Sequence, residues 1–179
     1  MTHSNSYLIL FSLFCKHTTS INNAKRYPNI NFIGIEKYDS VVAKCLPKID
    51  DDLKNLLIVR MDALEIDKVF DHEISRIYLN FSDPWPKVRH HLRRLSSKIF
   101  LEKYNYIFKD NMEIYMRTDN RDLYTYSLES FSQNGYSLYD INLDLHNSIE
   151  NLEDIITTEY VYKSLLSVLI YISILSLKI

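Results

Sequence analysis

Apolar positions in the interior of the chain fall into short runs rich in β-branched and aromatic residues. Four of these, Ile30–Ile35, Leu56–Val59, Arg76–Phe81 and Met112–Arg117, have the length and composition of strands. Between them apolar residues recur at helical spacing. One helix is expected from Asp39 or Ser40 to about Leu46, and a long one from about Lys87 to Phe108, carrying Leu92, Leu95, Ile99 and Tyr106. A third opens after Asn120, a good N-cap, and stops near Gly135. Strands alternating with helices predict an α/β fold with a mostly parallel sheet covered on both faces. Each end of the chain adds an apolar run. Tyr7–Phe14 has no basic region before it and makes a poor signal peptide. Ser164–Leu177, between Lys163 and Lys178, is shorter than the roughly 20 residues of a spanning helix. It reads as a buried element or an interfacial tail, and no membrane partner is expected.

The 179 residues suit one domain with a real core. Net charge is −2, so any surface for a polyanion must be local. The charges are segregated: Pro84–Leu101 carries Lys87, Arg89, Arg93, Arg94 and Lys98 with no acid, whereas Asp122–Tyr162 has acids and no Lys or Arg. Such a division either presents a basic face to a polyanion or marks two solvated helix faces. Cys15 and Cys45 form no CxxC and no metal spacing, which fits a reducing, cytoplasmic setting. The adjacent His90 and His91 lack chelating spacing, and no metal is expected.

An acid follows each expected strand: Glu36, Asp62, Asp83 and Asp119. In a parallel sheet the carboxyl ends of all strands lie on one edge, where ligands bind. Four acids are thereby delivered to one rim. A carboxylate there can hold ribose hydroxyls, a role that suits Glu36, and Asp62 can accept from an adenine amino group. The competing reading of each is a helix cap or a surface ion pair. In "SDPWPK" the two prolines restrict the backbone around Trp85. Trp85 then serves either as a stacking platform for a base or as a packing residue that fixes the loop.

The segments "NFIGIEKYDSVV", "IYLNFSDPWPKVRHHLRRL", "MRTDNRDLYTYSLESFS" and "LDLHNS…IITTEY" resemble the bacterial tRNA (guanine-N7)-methyltransferases in motif, order and spacing, over about Ile21 to Tyr160. The resemblance implies a Rossmann-like class I fold, S-adenosylmethionine as cofactor and tRNA as partner, with methyl transfer to N7 of a guanine in the variable loop. It also implies that Glu36, Asp62 and Asp83 contact the cofactor and that Asp83 is catalytic. Lys87, Asp119 and Thr158 would contact the substrate, with Arg89, His90, His91, Arg93 and Arg94 on the RNA.

The chain departs from that pattern at both ends. The family opens with a strand and a Gly-rich turn, but "LILFSLFCKHTTSINNAKRYPN" holds no glycine. Val161 stands where the family's Thr-x-x-Glu element, begun at Thr158, ends in Glu. The expected layout is therefore a divergent segment over residues 1–20, a partial methyltransferase domain over 21–160 and a divergent apolar tail over 161–179. The first strand and its turn are expected to be missing or improvised. A non-catalytic tRNA-binding protein that keeps the basic stretch is the alternative. A nicotinamide-dependent oxidoreductase fits less well, since it gives the Asp-Pro-Trp-Pro element no role.

Overall fold

The computed structural model describes residues 8–12, 19–142 and 170–176. Its strands are β1 (Leu8–Ser12), β2 (Asn31–Glu36), β3 (Leu56–Arg60), β4 (Ile74–Asn80), β5 (Phe108–Thr118), β6 (Ser137–Asn142) and β7 (Ile170–Ser176). They form one seven-stranded sheet in the order β3-β2-β1-β4-β5-β7-β6. The pairs among β1 to β5 are parallel, and β7 runs antiparallel to both β5 and β6.

Strand order reverses between β1 and β4. The chain builds outward from β1 through β2 to β3, then returns to place β4 on the other side of β1. Chain connections there diverge to opposite sides and open a crevice beyond the carboxyl ends of the two strands. The first strand, expected to be missing or improvised, is present as β1. Leu8–Ser12 pairs with Asn31–Ile35 on one side and with Arg76–Leu79 on the other, and so occupies the middle of the sheet. It can do so because LILFS is a short apolar run of strand length; a strand buried on both faces needs no alternation. Ile9 and Leu10 are both buried and point to opposite faces, each into a different apolar cluster.

On one face, α1 (Thr19–Arg26) packs Ala24 against Ile9 and Phe32. The Asn55 side-chain amide donates to the carbonyls of Ala24, Tyr27 and Ile30, tying the end of that helix to the start of β3. On the other face, α3 (Lys98–Ile107) and α4 (Arg121–Gln133) cover β4 and β5. Phe100, Leu101, Tyr104, Leu123 and Phe131 meet Ile77, Leu79, Ile114 and Met116 there. The remaining helix, α2 (Asp39–Cys45), starts directly after β2.

The long helix expected from Lys87 to Phe108 is two elements: a 3₁₀ segment Val88–Arg93 and α3 from Lys98. Arg94 and Ser97, both with extended backbone, break it. Ser97 Oγ donates to the Leu92 carbonyl, and Ser96 Oγ lies 2.6 Å from Ser127 Oγ on α4, so the serine pair is spent on side-chain bonds that compete with a continuous helix. The helix from Asn120 matches expectation. Asn120 Oδ1 accepts from Leu123 N–H, and Gly135, at φ +84°, closes a Schellman turn with Tyr136 N–H bonded to the Phe131 carbonyl.

Ile114→Ala should destabilise the fold by roughly 2–5 kcal/mol, since it empties a fully buried site at the sheet–helix junction. Val88→Ala, at an exposed position, should stay within about 0.5 kcal/mol. Urea unfolding of the two variants checks this.

Candidate active site

A cavity of about 610 Å³ opens at the carboxyl ends of β1 to β4. Its floor is apolar, with Leu10, Ile35, Ile77 and Leu79 from the strands and Phe100 and Tyr104 from α3. Its polar groups are concentrated at the rim: Glu36, Lys37, Asp62, Asp83 and Arg93, with Trp85 beside them. The size is ordinary for a small-molecule site of mostly apolar lining with a few polar groups.

Glu36 ends β2 and is buried. The Tyr38 N–H donates to its Oε1 at 2.8 Å, which fixes the carboxylate toward the cavity. Burial pushes its pKa up; backbone N–H groups of Tyr38 and Lys37 oppose the rise and the Asp83 charge adds to it. Burial likewise raises the Asp83 carboxyl. Asp83 lies in the loop after β4, between two residues with left-handed backbone, Phe81 at φ +50° and Trp85 at φ +40°. Non-glycine residues in that region cost of order 1–3 kcal/mol each and cluster at functional sites.

Asp62 combines three placements that the sequence left as alternatives. It caps the 3₁₀ segment Ala63–Lys68 through Oδ1, which accepts from Leu64 N–H, and it forms an ion pair through Oδ2 with Lys37 Nζ at 2.7 Å. It also lines the cavity. Burial would raise its pKa, but the Lys37 hydrogen bond, the Leu64 N–H and the Lys37 charge together hold it below the usual value.

Three of the four strand-end acids thus share one cavity, and Asp119 does not line it. Asp119 follows β5 at the exposed surface beside Asn120. Lys87 and Arg89 are exposed, and His90 and His91 are half-buried. The His90 ring meets Trp85 edge-on at 5.8 Å, His91 lies 5.3 Å from the Tyr126 ring, and the Arg93 guanidinium sits 5.0 Å over Trp85. Arg94 is a correction. It was expected on the RNA, but it is 3% exposed, with its guanidinium turned inward to the carbonyls of Pro84 and Trp85. Thr158 lies outside the described residues, as do residues 13–18, whose sequence LFCKHT has no glycine. Lys37 and the apolar wall from Met61 to Ile66 were missed. Lys37 follows a strand-end acid, and that adjacency was the available signal.

This donor set fits an adenosine-bearing sulfonium. Glu36 offers a buried acceptor for a diol. Asp83 and Glu36 supply negative charge beside a cation. The apolar floor and the Met61–Leu64 wall suit a purine ring. Among the described residues no group of His, Cys, Asp and Glu could hold a metal ion, and no helix is long and apolar enough to cross a membrane.

Comparison with known proteins bears on the family and the fold. The model of a family described as "Putative methyltransferase" matches residues 14–165. The tRNA (guanine-N(7)-)-methyltransferase of Oceanobacillus iheyensis is 49% identical over 139 residues, 76% of this chain and 64% of that protein. The protein of the same name from Staphylococcus epidermidis is 50% identical over 139 residues, again 76% of this chain and 64% of its own. The chain thus spans less than two-thirds of the length of these relatives. Among solved structures, a SAM dependent methyltransferase from Aquifex aeolicus superposes with TM-score 0.65 at 10% identity, covering 97% of this chain and 85% of its own. The Methanococcus jannaschii fibrillarin pre-rRNA processing protein gives 0.63 at 11% identity, covering 96% and 66%. The fold is the Rossmann-like class I methyltransferase fold.

Because Glu36 is raised, the folded chain binds more protons than the unfolded chain between the ordinary and the raised pKa, and stability falls as pH rises through that interval. Glu36→Gln keeps an acceptor for Tyr38 N–H and removes the charge. It should raise the urea midpoint at pH 7 and flatten that slope. Asp62 has the opposite sign: its contribution is present above the unfolded pKa and is lost as pH falls through the depressed one.

Proposed function

The chain belongs to the methyltransferase family whose model it matches, and we propose that it acts as an S-adenosylmethionine-dependent tRNA (guanine-N7)-methyltransferase. The observation that carries this reading is the convergence of Glu36, Asp62 and Asp83 on one cavity at the strand-order switch, with basic residues at its lip. When bound, the cofactor supplies a methyl group on a positively charged sulfur. Glu36 would hold the ribose hydroxyls, and Asp62, which caps Ala63–Lys68, would hold the apolar wall that suits the adenine.

N7 of guanine carries its own lone pair, so the site needs no strong base. Its work is to hold that nitrogen in line with the methyl carbon. The opposite edge of guanine presents N–H donors. Asp83, held at the lip in a strained loop, accepts from that edge and offsets the positive charge that grows on the ring. Asp119, exposed after β5, is the second substrate-side acid. Lys87, Arg89, His90, His91 and Arg93 meet the phosphate backbone. A tRNA substrate and the cysteine pattern suit a cytoplasmic location.

Incubation with unmodified tRNA and labelled S-adenosylmethionine should place label in the RNA. Asp83→Ala should lower the rate by about 100-fold or more. Lys87→Ala and Arg89→Ala should each reduce the slope of log affinity against log salt by roughly 1. Salt-sensitive binding with no transfer by the unaltered chain would replace this reading with that of a tRNA-binding protein.

A further inference from the structure

We infer that Arg94 is a positioning residue: its buried guanidinium holds the Pro84–Trp85 backbone so that the Asp83 carboxylate stays at the cavity, and it does not contact RNA. This rests on the reading of Asp83 as the acid of the site. The loop Asp83–Pro86 has little means to hold itself. Pro84 and Pro86 lack N–H groups, and Trp85 and the preceding Phe81 both adopt left-handed backbone that side chains resist. The carbonyls of Pro84 and Trp85 are taken by one guanidinium, with Arg94 Nε donating to Pro84 at 2.8 Å and Nη2 to Trp85 at 3.3 Å.

That fork is itself held. Arg94 is 3% exposed, and its guanidinium carbon lies 4.4 Å over the Tyr126 ring of α4. Its own backbone closes the 3₁₀ segment, through Arg94 N–H to the His91 carbonyl, and opens the next turn by accepting from Ser97 N–H. One residue therefore links α4 and the acid's loop through its side chain and the start of α3 through its backbone. A planar fork can donate to two successive carbonyls while stacking on a ring; an ammonium is a point donor and cannot do both. The neighbouring Arg93 is exposed at the cavity and lies over the Trp85 ring of the same loop. Two adjacent arginines thus do different work: one faces solvent at the cavity lip and the other faces inward.

The chain has a single tryptophan, Trp85, so its fluorescence reports this loop without RNA or cofactor. Arg94→Met and Arg94→Lys should both shift Trp85 emission to the red and make it more accessible to acrylamide, with lysine the milder. The salt slope of tRNA binding should not change, and methyl transfer should fall by about 100-fold, as expected for a misplaced reacting group. Unchanged Trp85 emission in both variants overturns the proposal. So does a salt slope reduced by about 1 with Trp85 unmoved, which would make Arg94 a phosphate contact. Where Arg94→Met does not fold, Tyr126→Leu decides, since it keeps the guanidinium and removes the ring beneath it. A red shift supports the clamp, and unmoved emission overturns it. If the unaltered chain transfers no methyl group, the fluorescence result still stands and only the assignment of Asp83 fails.

Discussion

Leu8–Ser12 is hydrogen-bonded on both sides, to β2 and to β4, and the site stands on the edge this creates. A central strand with neighbours built in opposite directions must have connections that part above its carboxyl end. The gap cannot be filled by the chain's own crossovers, so a cavity forms there for topological reasons. Glu36, Asp62 and Asp83 are then strand-end residues of three strands adjacent to that gap or one removed from it. Without β1, β2 and β4 would have no shared edge, and the acids would not converge.

The interior of the fold was legible because its strands are short apolar runs and α4 carries two strong end signals, Asn120 and Gly135. The two edges of legibility have distinct physical causes. LILFS stands out as an apolar run but carries no period, since a strand buried on both faces does not alternate. The Gly-rich turn that the family pattern sets beside this strand is absent from the adjoining sequence, so the motif does not mark the run as a strand. The helix over Lys87–Phe108 failed differently. The apolar spacing continues across Arg94–Ser97, but the backbone there is claimed by side chains: Ser97 bonds back to Leu92, Ser96 to Ser127, and Arg94 to the loop before it. Such side-chain bonds lie outside the helical backbone ladder and leave no periodic trace.

Side-chain direction, which no period records, is also why the basic stretch misleads. A run of Lys, Arg and His reads as one surface, because sequence shows charge and not direction. In the fold, residues one position apart diverge: Arg93 lies at the lip over Trp85, and Arg94 is buried against carbonyls and the face of Tyr126. Asp62 repeats the lesson among the acids. Its cap, its ion pair and its place on the cavity wall, which sequence treats as competing roles, are three uses of one carboxylate.

Charge is arranged radially around the cavity, and this accounts for the composition. Glu36, Asp62 and Asp83 line the cavity, and burial raises the carboxyls of Glu36 and Asp83. The exposed bases Lys87, Arg89 and Arg93 lie at or beyond the lip. A cation entering the cavity is met by negative charge in a low-dielectric setting, where it counts most. A polyanion is held outside, where screening by salt keeps its grip reversible. A near-neutral chain can therefore serve two ligands of opposite sign, provided the loop between them is rigid. Asp83 and Trp85 both line the cavity from nearby positions of that loop, and Arg93 lies over the Trp85 ring. Any slack in Pro84–Trp85 would let the acid drift from the inner ligand toward the bases at the lip, so separation of the two charge fields depends on the backbone contacts that Arg94 makes.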